Sequence, residues 1–465
     1  MTDFAPLLQP DRGGPAHAIH LVDKESFADW AKKQSASRRY LLEAARFEGK
    51  TGFQFAILPA AQGNGWEVVS TVANIAELSP WCLARLGEAL PEGSYRLADG
   101  DPGPAMLGWL LGQHRLTAYK SKNEDQRGPR ILLTREAAEI DRTVRIADAT
   151  CTVRDLVDTP AADLGPAELE AAARSLARQF GAKVEVTSGD ALEQGYPMVA
   201  AVGQGAARER APRLIELAWG KDDARKLAVI GKGVCFDSGG LDIKTASGML
   251  LMKKDMGGAA HALALAKLIM AERLPVRLHL LIPAVENSVS ENAIRPGDVL
   301  ASRKGLKVEI DNTDAEGRLI LGDALAKAAE GEPELIIDFA TLTGAARVAL
   351  GPDLPAMFCN DDKLADEVEA AARLVTDPIW RMPLWDGYDE MLKSDLADLS
   401  NAADSPMAGS ITAALFLRRF IPEGTPWAHF DTFAWRPSAK PGRPKGGDAL
   451  GLRAAFAMLS RRYAG

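Results

Sequence analysis

The stretch LAVIGKGVCFDSGGLDIK, residues 227–244, contains the features that decide the fold of this chain. Its apolar beginning, Leu227 to Ile230, is typical of a buried β-strand, and the glycines that follow allow a loop whose backbone approaches a ligand closely. That loop carries charged side chains, among them Lys232, Asp237 and Lys244. Because ligands bind at the carboxyl ends of strands in open α/β sheets, the stretch predicts a strand followed by a binding loop.

A second segment, NTDAEGRL at residues 312–319, follows a strand-like run from Leu306 to Ile310. It places two carboxylates and a guanidinium close together, on Asp314, Glu316 and Arg318. Neighbouring carboxylates raise each other's pKa, and a divalent cation between them relieves the repulsion. The alternative interpretation of this segment, taken alone, is a solvated surface turn.

A third segment, MKKDMGG at residues 252–258, places Asp255 directly before a helix of small residues that starts near Ala259. We expect the three loops to converge, although they are far apart in the sequence. Their oxygen ligands suit divalent ions such as Mn²⁺, Mg²⁺, Co²⁺ or Zn²⁺. The six histidines form neither HExxH nor HxH, which argues against a single-zinc protease.

Together, GKGVCFDSGGLDIK, MKKDMGGAA and NTDAEGRL resemble the signature blocks of the leucyl aminopeptidase family, the two-metal M17 cytosol aminopeptidases. The resemblance is strong over about residues 150–435 and faint over the first 130. It implies a metal-dependent exopeptidase that releases N-terminal amino acids, Leu and other apolar residues in particular, from peptides. It also implies a cytoplasmic homohexamer.

The resemblance implies roles for five candidate metal ligands. Asp237 and Glu316 would bridge two divalent ions, Mn²⁺ or Zn²⁺ with Mg²⁺ or Co²⁺ as further possibilities. Asp255 and Lys232 would complete the tighter site, and Asp314 the more exchangeable one. Two such ions about 3.5–4 Å apart bind the attacking water and the substrate carbonyl oxygen, and aminopeptidases are known examples of this chemistry. Lys232 binds a metal only as a neutral amine, which two adjacent dications would favour by depressing its pKa.

Two further cations, Lys244 and Arg318, would take part in catalysis. By the same resemblance Lys244 polarises the substrate carbonyl, as a fixed charge near a developing oxyanion does. Arg318 would hold a bicarbonate ion that acts as general base, with the backbone around Leu342 and Gly344 completing the pocket. The alternative for Arg318 is an ion pair with one of the neighbouring carboxylates.

The pocket for the substrate side chain would be lined by Met252, Thr341 and Gly344, an apolar slot that suits Leu or Met. Met252 also has a plain interpretation as a packing residue. The chain departs from the family near its end, where DTFAW at residues 431–435 replaces the commoner D-x-A-G. Bulky aromatics near the pocket leave the preferred side chain open.

The order of strand-like and helical segments predicts an α/β protein with two α/β domains. Residues 1–150 would form an N-terminal domain with an assembly or regulatory role, including a helix from about Ser79 to Leu90 with Ser79 at the N-cap and Pro80 in the first helical position. Residues 151–465 would form the catalytic domain, which starts with a linker helix and has a mostly parallel central sheet flanked by helices. Its strand-like runs lie at 183–186, 227–230, 276–282, 306–310 and 335–340.

Composition limits the other possibilities. One alternative function is DNA binding. A net charge of -8 and a pI near 5.5 argue against it, because they disfavour binding to nucleic acid. A catalytically inactive scaffold is the other, and the presence of every expected site residue argues against it. The first residues lack a secretory signal, no run is long enough to span a membrane, and four cysteines without paired spacing predict reduced thiols.

Overall fold

The larger part of the chain is described by a computed structural model. No helix within the described residues is both long and apolar enough to cross a membrane. The described residues are 2–50, 52–61, 65–121 and 128–464.

The chain divides into two compact units. The smaller comprises Met1–Cys151 and Ser438–Lys445, and the larger comprises Thr152–Pro437 and Gly446–Gly465. Each unit has a sheet of its own, which is consistent with two hydrophobic cores.

The smaller unit contains a six-stranded sheet within its described residues. Its strands are β1 (Leu8–Pro10), β2 (His17–Val22), β3 (Phe55–Pro59), β4 (Trp66–Thr71), β5 (Gly93–Leu97) and β6 (Arg130–Thr134). In the order β1-β6-β5-β2-β4-β3, all neighbours are parallel except β3 and β4. The helices are α1 (Phe27–Lys32), α2 (Ala36–Ala44), α3 (Ala84–Ala89), α4 (Ala105–Leu111) and the start of α5 (Ile140–Asp158).

The helix predicted to begin at Ser79 starts later than expected. Residues 80–83 form turns, and α3 begins only at Ala84. The reason is that the Pro80 carbonyl accepts a hydrogen bond from Gly108 N at 2.9 Å, while Ala84 N donates to Trp81 O in a tighter turn. The proline carbonyl is therefore not available to a helical hydrogen bond from Ala84.

The larger unit contains most of the secondary structure. Its main strands are β7 (Lys183–Ser188), β8 (Arg213–Trp219), β9 (Arg225–Gly231), β10 (Gly233–Asp237) and β11 (Val276–Asn287). They are followed by β12 (Val299–Ala301), β13 (Lys307–Glu309), β14 (Leu335–Ala340), β15 (Ala356–Cys359), β16 (Trp380–Arg381), β17 (Leu399–Ser400), β18 (Trp427–Asp431), β19 (Trp435–Arg436) and β20 (Gly446–Gly447). The helices are α6 (Pro166–Phe180), α7 (Asp190–Gly195), α8 (Pro197–Gly203), α9 (Ala246–Met249), α10 (Gly257–Ala271), α11 (Glu316–Glu330), α12 (Gly344–Leu350), α13 (Asp362–Leu374), α14 (Gly409–Arg418) and α15 (Leu452–Tyr463).

The central sheet of this unit has the order β16-β15-β18-β14-β9-β11-β8-β7, with β10 paired to the end of β11. Its middle strands, β18, β14, β9 and β11, run parallel, whereas β7, β8 and β15 join in antiparallel fashion. Strand β14 is fully buried and is apolar apart from Asp338, as expected of a strand covered on both faces. The predicted α/β fold with a mostly parallel central sheet is confirmed.

The strand predicted at Leu306–Ile310 exists, but it does not belong to the central sheet. It forms β13 in a separate three-stranded sheet of order β12-β13-β17. The alternation of exposed Lys307 and half-buried Glu309 with buried Val308 explains the difference, because such a strand has one solvated face. The expectation that the run at 306–310 belongs to the central sheet was therefore wrong.

Candidate active site

The candidate site lies where β9 and β14 end side by side. Lys232 follows β9, its N–H donates to Phe339 O at 3.0 Å, and its carbonyl accepts from Ala259 N at 2.8 Å. These bonds fix the lysine between β14 and the start of α10. The other candidate ligands come from loop and helix ends: Asp237 ends β10, Asp255 lies in a 3₁₀ turn before α10, and Glu316 is the first residue of α11.

Lys232 joins two of these carboxylates. Its Nζ lies 2.7 Å from Asp255 Oδ2 and 2.9 Å from Glu316 Oε1, and all three side chains are buried. Burial alone would lower the pKa of Lys232, but the charges of Asp255 and Glu316 outweigh it and hold the pKa above its usual value. The two carboxylates thus favour the charged form of Lys232, whereas two dications in their place would favour the neutral amine.

Lys244 joins the other two carboxylates. Its Nζ lies 2.7 Å from Asp237 Oδ2 and also contacts Asp314 Oδ1. Burial acts to lower the pKa of Lys244, and the carboxylates, Asp237 first, raise it above the usual value by a larger amount. The structure thus brings all five predicted ligands and Lys244 into one cluster.

The carboxylates of this cluster fit a divalent metal. Asp237, Asp255 and Glu316 each offer an oxygen, and the three oxygens lie within 4.8 Å of one another. Burial, and after it repulsion from Asp237, raises the pKa of Glu316. Glu316 Oε2 is buried and receives no hydrogen bond from the described part of the chain. A cation would satisfy this oxygen, since a buried ionised carboxylate without partners is costly.

Neutral groups hold two of the carboxylates in place. Asn287, buried at the end of β11, donates from Nδ2 to Asp237 Oδ1 at 2.9 Å and to Thr313 O at 3.1 Å. Thr341 Oγ1 donates to Asp255 Oδ1 at 2.7 Å. Such bonds orient carboxylate ligands of metals and tune their affinity. Asn287 was not predicted, although a polar residue at the carboxyl end of a buried strand is a usable signal.

The loop that carries Asp314 is fastened by Asn401, which follows β17. Asn401 Oδ1 accepts hydrogen bonds from Asp311 N at 2.9 Å and Asn312 N at 3.2 Å, and its Nδ2 donates to Asn312 O at 2.7 Å. Its backbone carbonyl accepts from Arg318 Nη1 at 2.8 Å. Segments about ninety residues apart are therefore held together by one side chain.

Arg318 makes no ion pair with Glu316 or Asp314 in the structure as described, so the simple pairing alternative finds no support. The side chain is largely buried, and its Nε donates to no described residue. Burial lowers the pKa of Arg318 to about 10, opposed by the charges of Glu316 and Asp431. Arg318 does not line the adjacent cavity, unlike most of the other predicted site residues.

A cavity of about 400 Å³ opens onto the cluster. Its wall includes three of the clustered carboxylates and both lysines, together with residues of the loops after β14 and β18 and of the turn before α10. Predicted residues in its wall are Lys232, Asp237, Lys244, Met252, Asp255, Asp314, Thr341, Leu342 and Gly344.

The unusual DTFAW segment contributes one aromatic ring to this wall. Phe433 lines the cavity, whereas Trp435 does not. Asp431 anchors the opposite loop, because its carboxylate accepts from Leu342 N at 2.9 Å and Thr343 N at 3.2 Å. The N–H of Leu342 is thus already bonded.

Two cations of the cavity wall were not predicted, Lys254 and Arg347. Burial lowers the pKa of Lys254, and the Asp255 carboxylate opposes that shift. Lys254 could have been predicted from the sequence, because it lies next to Asp255 in the MKKD segment. Nothing in the sequence around Arg347, which lies on an exposed face of α12, indicates a place in the cavity wall.

Further groups lie beside the site. Ser238 Oγ donates to Asn287 O at 2.7 Å, a hydrogen bond within the loop. His429 is buried, with Nδ1 2.6 Å from Asp338 Oδ1, which is typical of a core histidine. The four cysteines are free thiols.

Two family models match the chain. The model described as the cytosol aminopeptidase family, catalytic domain, matches residues 151–456, and the M17 aminopeptidase N-terminal domain matches residues 18–129. The chain belongs to the M17 cytosol aminopeptidase family. It is accordingly a peptidase, a metal-dependent aminopeptidase by its family.

Individual relatives agree with this assignment. A probable cytosol aminopeptidase of Geobacter sp. strain M21 is 39% identical over 421 residues, which are 87% of this chain and 82% of the relative. The crystal structure of a cytosol aminopeptidase from Coxiella burnetii is 43% identical, with a TM-score of 0.92 over 98% of this chain and 99% of that one. The bottromycin maturation enzyme BotP, solved in complex with Mn, is 31% identical, with a TM-score of 0.86 over 97% and 100% of the two chains.

Proposed function

We propose that the chain removes N-terminal amino acids, Leu and other apolar residues among them, from peptides at the cavity described above. The observation that carries the proposal is the cluster of Asp237, Asp255 and Glu316, whose oxygens lie within 4.8 Å of one another, while Glu316 Oε2 receives no hydrogen bond from the described residues. Such a set suits the two-metal chemistry of aminopeptidases.

The residues that would hold two divalent ions are those predicted from the sequence. Asp237 and Glu316 would contact both ions, Asp255 and Lys232 one of them, and Asp314 the other. Mn²⁺ or Zn²⁺ is proposed, with Mg²⁺ or Co²⁺ as substitutes, and the Mn complex of BotP supports manganese among them. When bound, the ions supply Lewis acidity toward water and the peptide carbonyl.

The chain's own side chains would bind and orient the peptide. The carboxylates of the cavity wall, half-buried Asp314 among them, attract a free α-amino group and so select the chain terminus. Lys244 presents an ammonium to the same cavity, where it stabilises negative charge that develops on the carbonyl oxygen. Met252 and Thr341 would contact the substrate side chain.

The proposed general base is a bicarbonate ion beside Arg318. Arg318 Nε donates to no described residue, which supports an anion site beside this guanidinium, since guanidinium groups bind anions. Leu342 would contribute its backbone as a wall, because its N–H already donates to Asp431.

Assembly and location form a second part of the proposal. We expect a cytoplasmic homohexamer in which residues 1–150 serve assembly or regulation and residues 151–465 serve catalysis. The names of the relatives support the location, and the resemblance of the signature blocks supports the hexamer. Light scattering after gel filtration should give six times the 49.8 kDa chain mass. A monomeric mass with full activity would contradict this part alone.

The decisive test combines metal removal with a blocked amine. Chelation should abolish cleavage of Leu-p-nitroanilide, and Mn²⁺, Co²⁺ or Zn²⁺ should restore it. N-acetyl-Leu-p-nitroanilide should be cleaved at least about 10²-fold more slowly. Without the free amine the scissile carbonyl is no longer held in position, and such a misplacement lowers the rate by about this factor. Equal cleavage of both substrates, or full activity after metal removal, would end the proposal.

A variant pair tests the ligand roles. Asp237→Ala should bind fewer than two metals per chain by elemental analysis and should be inactive. The matched control is Asp222→Ala, which removes a solvent-exposed carboxylate near Arg277. It should keep both the metals and the activity.

A further inference from the structure

A second cavity of the larger unit, about 450 Å³ in volume, lies far from the carboxylate cluster. It is lined by the first residues of β9 and β11 and by the last turn of α11, and we call it the basic cavity. The carboxylate cluster lies at the other ends of two of these elements, because Lys232 follows β9 and Glu316 begins α11. A helix of 15 residues, such as α11, is about 22 Å long, so the two sites are separate.

Positive charge predominates in the wall of the basic cavity. Lys226, Arg277 and Lys327 line it, whereas Glu330 is the one acid that the described residues contribute to the wall. The Glu330 carboxylate is already bound by Arg303, with Nε 2.7 Å from Oε1 and Nη2 2.9 Å from Oε2. The chain as a whole carries a net charge of -8, so this local excess of cations runs against the overall composition.

Lys226 and Arg277 differ in how their charges are engaged. Lys226 Nζ donates to Gly331 O at 2.8 Å, where it offsets the negative end of α11. Arg277 lies 3.6 Å from Asp222 Oδ1, and the Asp222 side chain is almost fully exposed to solvent. Such an exposed pair is weak, so the Arg277 guanidinium is available to an anion in the cavity.

Lys327 also lacks a close acidic partner among the described residues. Its Nζ lies 3.6 Å from Glu330 Oε2, an oxygen that Arg303 binds at shorter range. The nearby acid Glu216 is held by His279, whose Nε2 lies 2.8 Å from Glu216 Oε2. Burial acts to raise the pKa of Glu216, but the hydrogen bond from His279, with nearby positive charge, outweighs burial and holds the pKa below its usual value. Both acids therefore have cationic or hydrogen-bonding partners other than Lys327.

The size and lining of the basic cavity suit a small organic anion. Pockets for small molecules have volumes of roughly 300–1,000 Å³. Ala218, Ala228, Ala328 and Pro333 complete the wall and can contact the uncharged part of a ligand. A phosphate monoester carries close to two negative charges near neutral pH. A guanidinium binds phosphate oxygens through two parallel hydrogen bonds, and a lysine binds them as a point charge.

We propose that the basic cavity binds a small phosphate monoester, whose phosphoryl group is held by Arg277 and Lys327. The uncharged part of the molecule lies against the alanines and the proline of the wall. This site gives the chain a ligand-binding function that does not depend on the chemistry of the carboxylate cluster. Inorganic phosphate shares the phosphoryl chemistry but leaves most of the cavity unfilled.

The test is isothermal titration calorimetry of the metal-loaded enzyme with ribose 5-phosphate, inorganic phosphate and ribose. Ribose 5-phosphate should bind more tightly than inorganic phosphate, and ribose should not bind. Arg277→Met and Lys327→Met should each raise the Kd for ribose 5-phosphate at least about tenfold, the loss expected for a hydrogen bond between charged groups. Arg277→Lys, which keeps the charge, should raise it less.

Two controls separate this site from the metal cluster and from general effects of charge. Phosphate also ligates divalent ions, so each variant is assayed with Leu-p-nitroanilide, and its cleavage should match that of the wild type because the cluster is intact. Arg373→Met removes an exposed arginine paired with Glu369, away from the basic cavity, and should leave the Kd unchanged.

Three results would overturn the proposal. The first is no binding of ribose 5-phosphate to the wild type at millimolar concentrations. The second is an equal Kd in the wild type, Arg277→Met and Lys327→Met, with unchanged melting temperatures. The third is equal affinity for inorganic phosphate and ribose 5-phosphate, which would make the cavity a site for free phosphate and the monoester assignment wrong.

Discussion

Gly317 leaves the space that the Lys232 side chain occupies, because a Cβ atom on Gly317 would lie 2.6 Å from Lys232 Nζ. We expect Gly317→Ala to push the lysine away from its two carboxylates and to lower kcat/KM by at least about tenfold, as misplacement of site groups does. Far-ultraviolet circular dichroism should be unchanged, since alanine suits a helix. The control Gly14→Ala adds a Cβ with no neighbour within 4 Å and should retain activity.

Lys244 should act on charge that grows during the reaction. Lys244→Met is expected to lower kcat by about 10²–10³ with a smaller change in KM, the effect typical of losing one oxyanion donor. The kinetics should be measured at saturating metal, because Lys244 also contacts Asp237. The exposed Lys393→Met variant provides the baseline. An unchanged kcat with a raised KM would make Lys244 a substrate-binding residue instead.

Asn287 should contribute to metal affinity through Asp237. Asn287→Ala is expected to weaken metal binding by about 10–100-fold, as the loss of a hydrogen bond to a ligand does. It should also cost about 1–3 kcal/mol of unfolding free energy, since Thr313 O loses its donor. Asn360→Ala removes bonds to Thr425 and Trp427 at a distance from the cluster, so it should cost stability without changing metal affinity. Equal metal affinity in both variants would contradict the role of Asn287.

The pair of His429 and Asp338 should make stability depend on pH. Burial lowers the pKa of His429, but the Asp338 charge outweighs it and holds the pKa above the usual value. A raised pKa in the folded state gives stability that is complete below about pH 6.5 and is lost as pH rises through the folded value. The metal-free wild type should therefore be more stable than His429→Gln. This difference in unfolding free energy should be larger at pH 6 than at pH 9 by about 1–3 kcal/mol.

His261 provides the opposite case. Burial lowers its pKa, so its contribution is lost as pH falls below the unfolded value. The difference between wild type and His261→Gln should thus grow from pH 6 to pH 9. Urea titrations of both variants at the two values check the signs, and the same trend for both would contradict the assignment.

Several elements were predictable because local sequence determines them. The apolar run Leu335–Ala340 forms β14 over the same residues, and the run at 227–230 lies inside β9. Helix α6 begins at Pro166, a residue whose fixed φ suits the first helical turn. In the site, the spacing of NTDAEGRL was sufficient to indicate that Asp314 and Glu316 belong to one cluster.

Other elements depend on partners far away in the chain. Strand β8 was not predicted, because its residues 213–219 mix charged and apolar side chains. The strand is held in the sheet by antiparallel pairing with β7 and β11. The pairing of β13 with β17 joins segments about ninety residues apart, for which neither segment carries a local signal. Arg347 reaches the cavity only because of the course of the chain after β14.

The hydrogen bonds of Asn401 have a consequence for protein engineering. Residues 311–318 and 399–401 behave as one exchangeable part, since three backbone groups of the first segment bond to the side chain of the second. A chimera that takes residues 380–410 from a relative must therefore keep an asparagine at this position or transfer residues 311–318 as well. Recombined chains should therefore fold only when residues 311–318 and Asn401 come from the same parent.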